Sequence, residues 1–304
     1  MIHVFIINHF AGSKYWAKDL RKHLAEKKDL RYFVFNTVQP GFEGDLVKKM
    51  QKYFEDEKLR FYCCGGSGTM RNMLNGMKNL SDVEVAFFPC GLTNDFLKCF
   101  AGGEDAFRDI DQLIDGKVVS VDYIRTNHGI GLNTVSLGLD AKYASYMESM
   151  RLYSFFGSQV PYVLSLICAV LSTDYREYRV TVDGVDASGQ YSEMIIGNGG
   201  VLGGNLFIGE KTPDVTDGIA SYMIVRKIKG VSAIRFLMGL MKKKYTRLKK
   251  RARIGECRRF TVQSTDGRPI QMNLDGELID GWDRWEIEIV QKGLQFVVPQ
   301  NMEL

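Results

Sequence analysis

The sequence predicts an α/β domain built on a parallel sheet, joined to a second, mainly antiparallel domain that also carries helices. Three observations predict it. Up to about residue 120, short apolar runs alternate with stretches of helical period, the pattern of a parallel sheet covered on both faces. One of these runs passes into a helix through Gly65-Gly66-Ser67-Gly68-Thr69. After about Val121 the texture changes to β-rich runs punctuated by Asp-Gly pairs, which mark hairpin-type turns.

The strand-like runs of the first half are 4–8, 32–36, 61–64 and 85–89. Between them, Trp16, Leu20 and Leu24 share one helical face, as do Leu46, Val47, Met50, Tyr53 and Phe54. Met70, Met73, Leu74 and Met77 repeat at the same spacing, so a helix is expected to begin at Met70. In the second half, β patterns fall at 178–182, 193–197, 220–225, 260–263, 270–274 and 285–290. Asp183-Gly184 and Asp266-Gly267 are the expected hairpin turns, and helical patterns lie near 140–150, 159–172 and 230–243. The change of texture places the boundary between the two domains at about residues 121 and 122.

A chain of 304 residues that is 45% hydrophobic and 25% charged can bury one or two cores. The N-terminus lacks a basic region and a small-residue cleavage site and reads as a buried strand. Residues 152–171 carry no charge and are long enough to span a bilayer. Ser154, Gly157, Ser158, Gln159, Pro161 and Ser165 make that stretch polar for a span, which favours a buried or membrane-grazing helix. Six cysteines lie at 63, 64, 90, 99, 168 and 257 without CxxC spacing, the usage of buried thiols in a reducing cytosol.

The net charge of +4 conceals an asymmetry. Residues 242–259 hold ten Lys/Arg against one Glu, leaving the remainder of the chain about five charges negative. A solvated helix end is one reading of that run. The sharper one is contact with anionic lipid headgroups, where each basic residue is worth about 1 kcal/mol. No aromatic-interleaved basic motif accompanies the run, so nucleic acid is not an expected partner.

The chemistry concentrates in three turns at successive strand ends. In Gly65-Gly66-Ser67-Gly68-Thr69, glycine permits close backbone approach to a ligand, and the following helix N-terminus offers N–H groups to an anion. No Gly-Lys-Ser/Thr follows, so this is not a Walker A loop. Pro89-Cys90-Gly91-Leu92-Thr93-Asn94-Asp95 places a hydroxyl, an amide and a carboxylate together at what reads as the start of an apolar helix, more than capping needs. Asn8-His9-Phe10-Ala11-Gly12-Ser13-Lys14 follows the first strand and ends on a cation. Together they predict a nucleotide site at the carboxyl ends of the strands.

The order of these turns resembles the diacylglycerol kinase catalytic fold shared by bacterial lipid kinases, diacylglycerol kinases and sphingosine kinases. That family reads Asn-Pro-x-x-Gly, Gly-Gly-Asp-Gly-Thr, Pro-x-Gly-Thr-x-Asn-Asp and, late in the chain, Asp-Gly-Glu. Here stand Asn8 and Gly12, the turn from Gly65 to Thr69, Pro89, Gly91, Asn94 and Asp95, and finally Asp275-Gly276-Glu277. Asn133, Gly138 and Asp140 resemble the segment opening the family's second domain, and Gly203-Gly204 and Asp217-Gly218 its later elements. The likeness covers nearly the whole chain and implies a β-sandwich-like second domain over 122–292, with a final strand near 294–298 by which residues 293–304 return to the first domain, 1–121. It departs from the family at His9, Leu92 and Ser67, the last standing where the family carries an aspartate of its metal-linked network.

The resemblance implies an ATP- and Mg2+-dependent kinase that transfers the γ-phosphoryl group to a membrane lipid, diacylglycerol by default. Glu277 is expected as the base or metal-site carboxylate with Asp217 assisting. Asp95, Asp122 and Asp275 are expected near the metal. Asn8, Gly12, Lys14, Gly65, Gly66, Ser67, Gly68, Thr69, Gly91, Thr93 and Asn94 are expected around the nucleotide. A cytoplasmic protein held peripherally on an anionic membrane surface follows, and a homodimer is admissible. A serine cannot carry the charge that holds magnesium, so a degenerate nucleotide- or lipid-binding protein is the rival reading, with a kinase for another lipid alcohol as a third. Other chemistries lack their residues: four histidines occur, at 3, 9, 23 and 128, with no HExxH and no serine elbow.

Overall fold

In a computed structural model of the chain, the structure describes residues 1–8, 16–39, 41–91, 94–150, 165, 168–169, 176–202, 206–209, 212–228, 232, 235–236, 238–239, 242 and 248–303. The chain divides into two compact units. One comprises Met1–Tyr123, Val215–Asp217 and Val290–Leu304, the other Ile124–Asp214 and Gly218–Ile289. The short segment 215–217 carries no composition signal that would assign it to the first unit.

The first unit begins with β1 (Ile2–Ile7), α1 (Trp16–Glu26), β2 (Tyr32–Asn36), α2 (Phe42–Tyr53), β3 (Leu59–Gly65), α3 (Ser67–Gly76) and β4 (Glu84–Pro89). These are the alternating elements that the apolar periodicity predicts. β1 and β3 are buried along their whole length, which is why they read as continuous apolar runs rather than alternating ones. β1 pairs in parallel with both β2 and β3, and β3 with β4. The order is therefore β2-β1-β3-β4, and it reverses between β1 and β3. A crevice opens at the carboxyl ends of strands at such a reversal. α2 and α3 cross at glycines: a Cβ on Gly76 would fall inside the contact distance of the Gly44 backbone.

Beyond β4, the expected apolar helix is a five-residue 3-10 turn, Asp95–Cys99. Two short helices follow, α4 (Gly103–Ala106) and α5 (Ile110–Ile114), and then β5 (Lys117–Thr126). Asp109 caps α5 by accepting from the N–H groups of Asp111 and Gln112. A buried ion pair ties β3 to β4. Arg60 Nε donates to Glu84 Oε2 at 2.6 Å, and the same guanidinium reaches the carbonyls of Leu113 and Ile114.

The second unit is antiparallel: β6 (Gly129–Gly131), β7 (Thr134–Gly138), α6 (Leu139–Met150), β8 (Arg176–Val182), β9 (Val185–Asp186), β10 (Gly189–Gly197), β11 (Val201–Leu202), β12 (Leu206–Phe207), β13 (Ala220–Arg226), β14 (Ala252–Cys257), β15 (Arg259–Ser264), β16 (Met272–Leu274) and β17 (Glu277–Ile279). The last strand, β18 (Arg284–Val298), pairs with β15 through residues 284–288 and runs parallel to β4 through 295–297. The two separate β segments read near 285–290 and 294–298 are thus one strand. The second unit's core gathers Trp285, Phe260, Val180, Val262 and Ile196, with Trp285 fully buried.

Asp183-Gly184 closes a hairpin, with Asp183 and Gly184 both at positive φ and Val182 opposite Val185, as a two-residue type I′ turn requires. Asp266-Gly267 does not. β15 pairs with β8 and β18, while β16 pairs with β7 and β17. Only Gly267 of that pair has positive φ. The Asp266 carboxylate instead accepts from Arg176 at 2.6 Å and from the Arg268 N–H at 3.1 Å. An Asx turn held by arginines redirects the chain to a different strand partner.

Most of 152–171 and much of 230–243 lie outside the described residues, so the helices expected there are not described as elements. Among the described residues, no helix is long and apolar enough to cross a membrane. Cys63, Cys64 and Cys257 are buried and the six cysteines are free.

Candidate functional site

The site starts where β3 ends. Gly66, in extended conformation, is the N-cap of α3, and Ser67 is already its first residue. The helix therefore begins three residues earlier than Met70, the position that side-chain periodicity marks. The first bond along the helix runs from the Met70 N–H to the Gly66 carbonyl at 3.0 Å. The N–H groups of Ser67, Gly68 and Thr69 thus form the end of α3, where a helix presents donors and partial positive charge. Gly66, Ser67 and Gly68 are half-buried there.

Two neighbouring chain segments close on this end. Cys90 and Gly91, just past β4, both donate their N–H groups to the Gly65 carbonyl, at 2.8 and 2.9 Å. A Cβ on Gly91 would stand 2.9 Å from Gly66 N, and one on Gly65 would stand 2.6 Å from Thr69 Oγ1. At Gly91 backbone meets backbone, and at Gly65 the Thr69 side chain takes the space a Cβ would need. From the end of β1, Asn8 donates its N–H to the Cys64 carbonyl and its Nδ2 to Thr69 Oγ1, both at 2.9 Å. These ends flank the reversal between β1 and β3.

Asn94 closes the third turn by donating Nδ2 to the Gly91 carbonyl at 3.0 Å. Its side chain is 1% exposed, and Oδ1 has no hydrogen-bond partner among the described residues. A buried, unsatisfied carbonyl costs about 1–3 kcal/mol. The structure thus brings together Asn8, Gly65, Gly66, Ser67, Gly68, Thr69, Gly91 and Asn94. Gly12, Lys14 and Thr93 lie outside the described residues.

Among the described residues, no group of three or more His, Cys, Asp or Glu side chains is placed to hold a metal ion. Asp95 pairs with Lys98 at 2.7 Å. Asp122 is fully buried on β5 and accepts from the Lys292 N–H at 2.6 Å, while its own N–H donates to the Val215 carbonyl at 2.7 Å. That carboxylate holds Lys292 at its positive φ. Asp217 belongs to the same unit and is exposed.

Asp275, in the second unit, is tied to backbone. Its two carboxylate oxygens accept from the N–H groups of Leu132, Asn133 and Thr134 at 2.5, 2.9 and 2.8 Å. Around it, Asn133 Nδ2 donates to the Val201 carbonyl and Asn198 Nδ2 to the Leu132 carbonyl. A Cβ on Gly131 would press on Leu274 and Asp275. Glu277 follows on β17, half-buried, opposite Leu274. Asn198 is a member of this network that sequence reasoning passed over. Its signal was its place in Gly197-Asn198-Gly199-Gly200, a polar residue enclosed by glycines.

Residues 3–126 match the diacylglycerol kinase catalytic domain, and residues 133–295 match the YegS C-terminal NAD kinase beta sandwich-like domain. Among curated proteins, a provisionally named lipid kinase of Staphylococcus haemolyticus is 30% identical over 169 residues, and one of Staphylococcus aureus is 29% identical over the same length. Each match covers 54% of this chain, and the chain spans about half (54%) of those relatives. Two solved structures from Bacillus anthracis, each titled provisionally as a diacylglycerol kinase, share the fold. One has a TM-score of 0.73 at 19% identity, covering 97% of this chain and 96% of that one. The other has 0.74 at 16%, covering 99% and 98%.

Proposed function

The chain belongs to the diacylglycerol kinase catalytic-domain family, and on that premise we propose that it transfers the γ-phosphoryl group of ATP to the hydroxyl of a membrane lipid, with diacylglycerol the first acceptor to test. One observation carries the nucleotide half of this reading: Gly66 and Gly91 meet backbone to backbone at the N-terminus of α3, with Asn8 locked onto Thr69. That leaves a side-chain-free cradle whose donors suit phosphate.

In this reading the α3 N-terminus and the glycines take the phosphate oxygens, and Asn94 Oδ1 accepts from a donor on the nucleoside. Lys14 supplies a further cation. Phosphoryl transfer is mostly positioning and charge stabilisation. Glu277 takes the proton of the attacking lipid hydroxyl as its oxygen bonds to phosphorus and ADP leaves, and Asp217 assists by orientation. By the same resemblance, Asp95 and Asp122 are the carboxylates that would help hold magnesium, which would neutralise charge on the phosphates. The basic run 242–259 brings the protein to an anionic membrane surface.

Ser67 supports one alternative. It occupies the first position of α3 with a neutral hydroxyl where the family carries a carboxylate, as in a protein that binds nucleotide without turnover. Radiolabelled ATP incubated with mixed lipid vesicles separates the two. Label entering lipid with the wild-type chain, and lost in Glu277→Ala, supports the kinase. Tight ATP binding without transfer, converted to transfer by Ser67→Asp, overturns it in favour of the alternative.

A further inference from the structure

We propose that a groove in the second unit, where Arg235, Lys242 and Arg251 surround Phe236, Met238 and Leu248, binds an anionic phospholipid of a membrane surface. The groove has a volume of about 390 Å³, within the usual range of small-ligand pockets, roughly 300–1,000 Å³. Among the described residues, no acidic side chain lines it. Among the described residues, none of the three cations pairs with a carboxylate.

The apolar part is anchored rather than adventitious. Leu248 is buried in a cluster with Ile195, Met223 and Val225, and Phe236 packs against the same cluster. Met238, by contrast, is half exposed. A flexible thioether left in water in a groove lined by three cations suits a partner that is apolar on one side and anionic on the other. A soluble phosphate would satisfy the cations and leave Met238 wet. A neutral acyl chain would cover Met238 and leave the cations unmatched. A phospholipid with a net negative headgroup uses both, and the surrounding excess of positive charge over 242–259 favours an anionic bilayer over a zwitterionic one.

This deepens the membrane contact suggested above but needs neither nucleotide nor catalysis, so it is tested without ATP. The full chain is sedimented with vesicles of phosphatidylcholine alone or mixed with phosphatidylglycerol. Arg235→Gln/Lys242→Gln/Arg251→Gln is expected to weaken binding to the mixed vesicles roughly a hundredfold, about fivefold per charge. Met238→Asp is expected to weaken it at low and high salt alike. Lys48→Gln/Lys49→Gln/Lys52→Gln, which removes the same charge from the exposed face of α2, is expected to leave binding within a factor of two or so. Thermal melts matching the wild type exclude misfolding in each variant. Equal loss in the two triple variants, unchanged binding by the groove variant, or binding of glycerol 1-phosphate as tight as that of the vesicles overturns the proposal. Loss of lipid phosphorylation with vesicle binding intact counts against the kinase reading alone.

Discussion

Gly66 and Gly91 face each other without side chains, close enough that a Cβ on Gly91 would stand 2.9 Å from Gly66 N. Gly66 caps α3, and Gly91 follows β4. The contact fixes the helix end against the next turn, so the cradle's shape depends on both glycines at once. Gly91→Ala is therefore expected to cost about 1–3 kcal/mol by overpacking and to weaken ATP binding by at least roughly tenfold. Denaturant titration and calorimetric ATP binding measure the two effects. A variant as stable and as tight as the wild type would show that the cradle tolerates a methyl group.

Ser67→Asp is expected to stabilise α3 by about 0.3–1 kcal/mol, because an acidic residue at the first helical position complements the helix dipole. The added carboxylate also supplies a ligand of the kind magnesium prefers. The magnesium concentration giving half-maximal ADP release is expected to fall. No change in that concentration would place residue 67 away from the metal.

Asp275→Asn isolates the charge of the clamp over residues 132–134. Asp275 has φ of 52°, which asparagine tolerates, so the backbone need not move. One side-chain oxygen remains where two accepted three N–H groups. The loss is expected at about 1.5–3 kcal/mol, the range for a hydrogen bond to a charged group. Urea denaturation with an unchanged slope measures it.

His3 links stability to pH. Burial, then the Arg60 charge and the N-terminal ammonium, push its pKa from 6.5 down to about 4, and the ring hydrogen-bonds Tyr62 at 2.8 Å. Between those values the unfolded chain binds a proton that the folded chain refuses, so stability rises with pH across the window. It is fully present above about 6.5 and is lost as pH falls towards 4. His3→Gln is expected to flatten that slope in melts taken from pH 4 to 7, and an unchanged slope would rule out His3 as its source.

The nucleotide half of the fold was legible for a simple reason. β1, β3 and β4 are buried on both faces, so each leaves an unbroken apolar run, and the glycines that must turn tightly after them stand out. Ser67 illustrates where legibility ended. Apolar periodicity starts at Met70, but a helix begins with its backbone, and the first turn of α3 carries no apolar side chain before Met70. Asp266-Gly267 failed similarly: Arg176, ninety positions away, decides that turn, and no local pattern reports a partner so distant.

By itself the sequence determined the alternation of strands and helices through β4, the change from parallel to antiparallel texture, and the polar and glycine residues gathered at strand ends, because these follow from periodicity and local backbone preference. The tertiary structure alone decided that Gly66 and Gly91 touch, that Asp275 holds three N–H groups, and that β18 is a single strand pairing with both β15 and β4. Those are contacts between residues far apart in the chain, and they exist only once packing has chosen among the many pairings that the same local preferences allow.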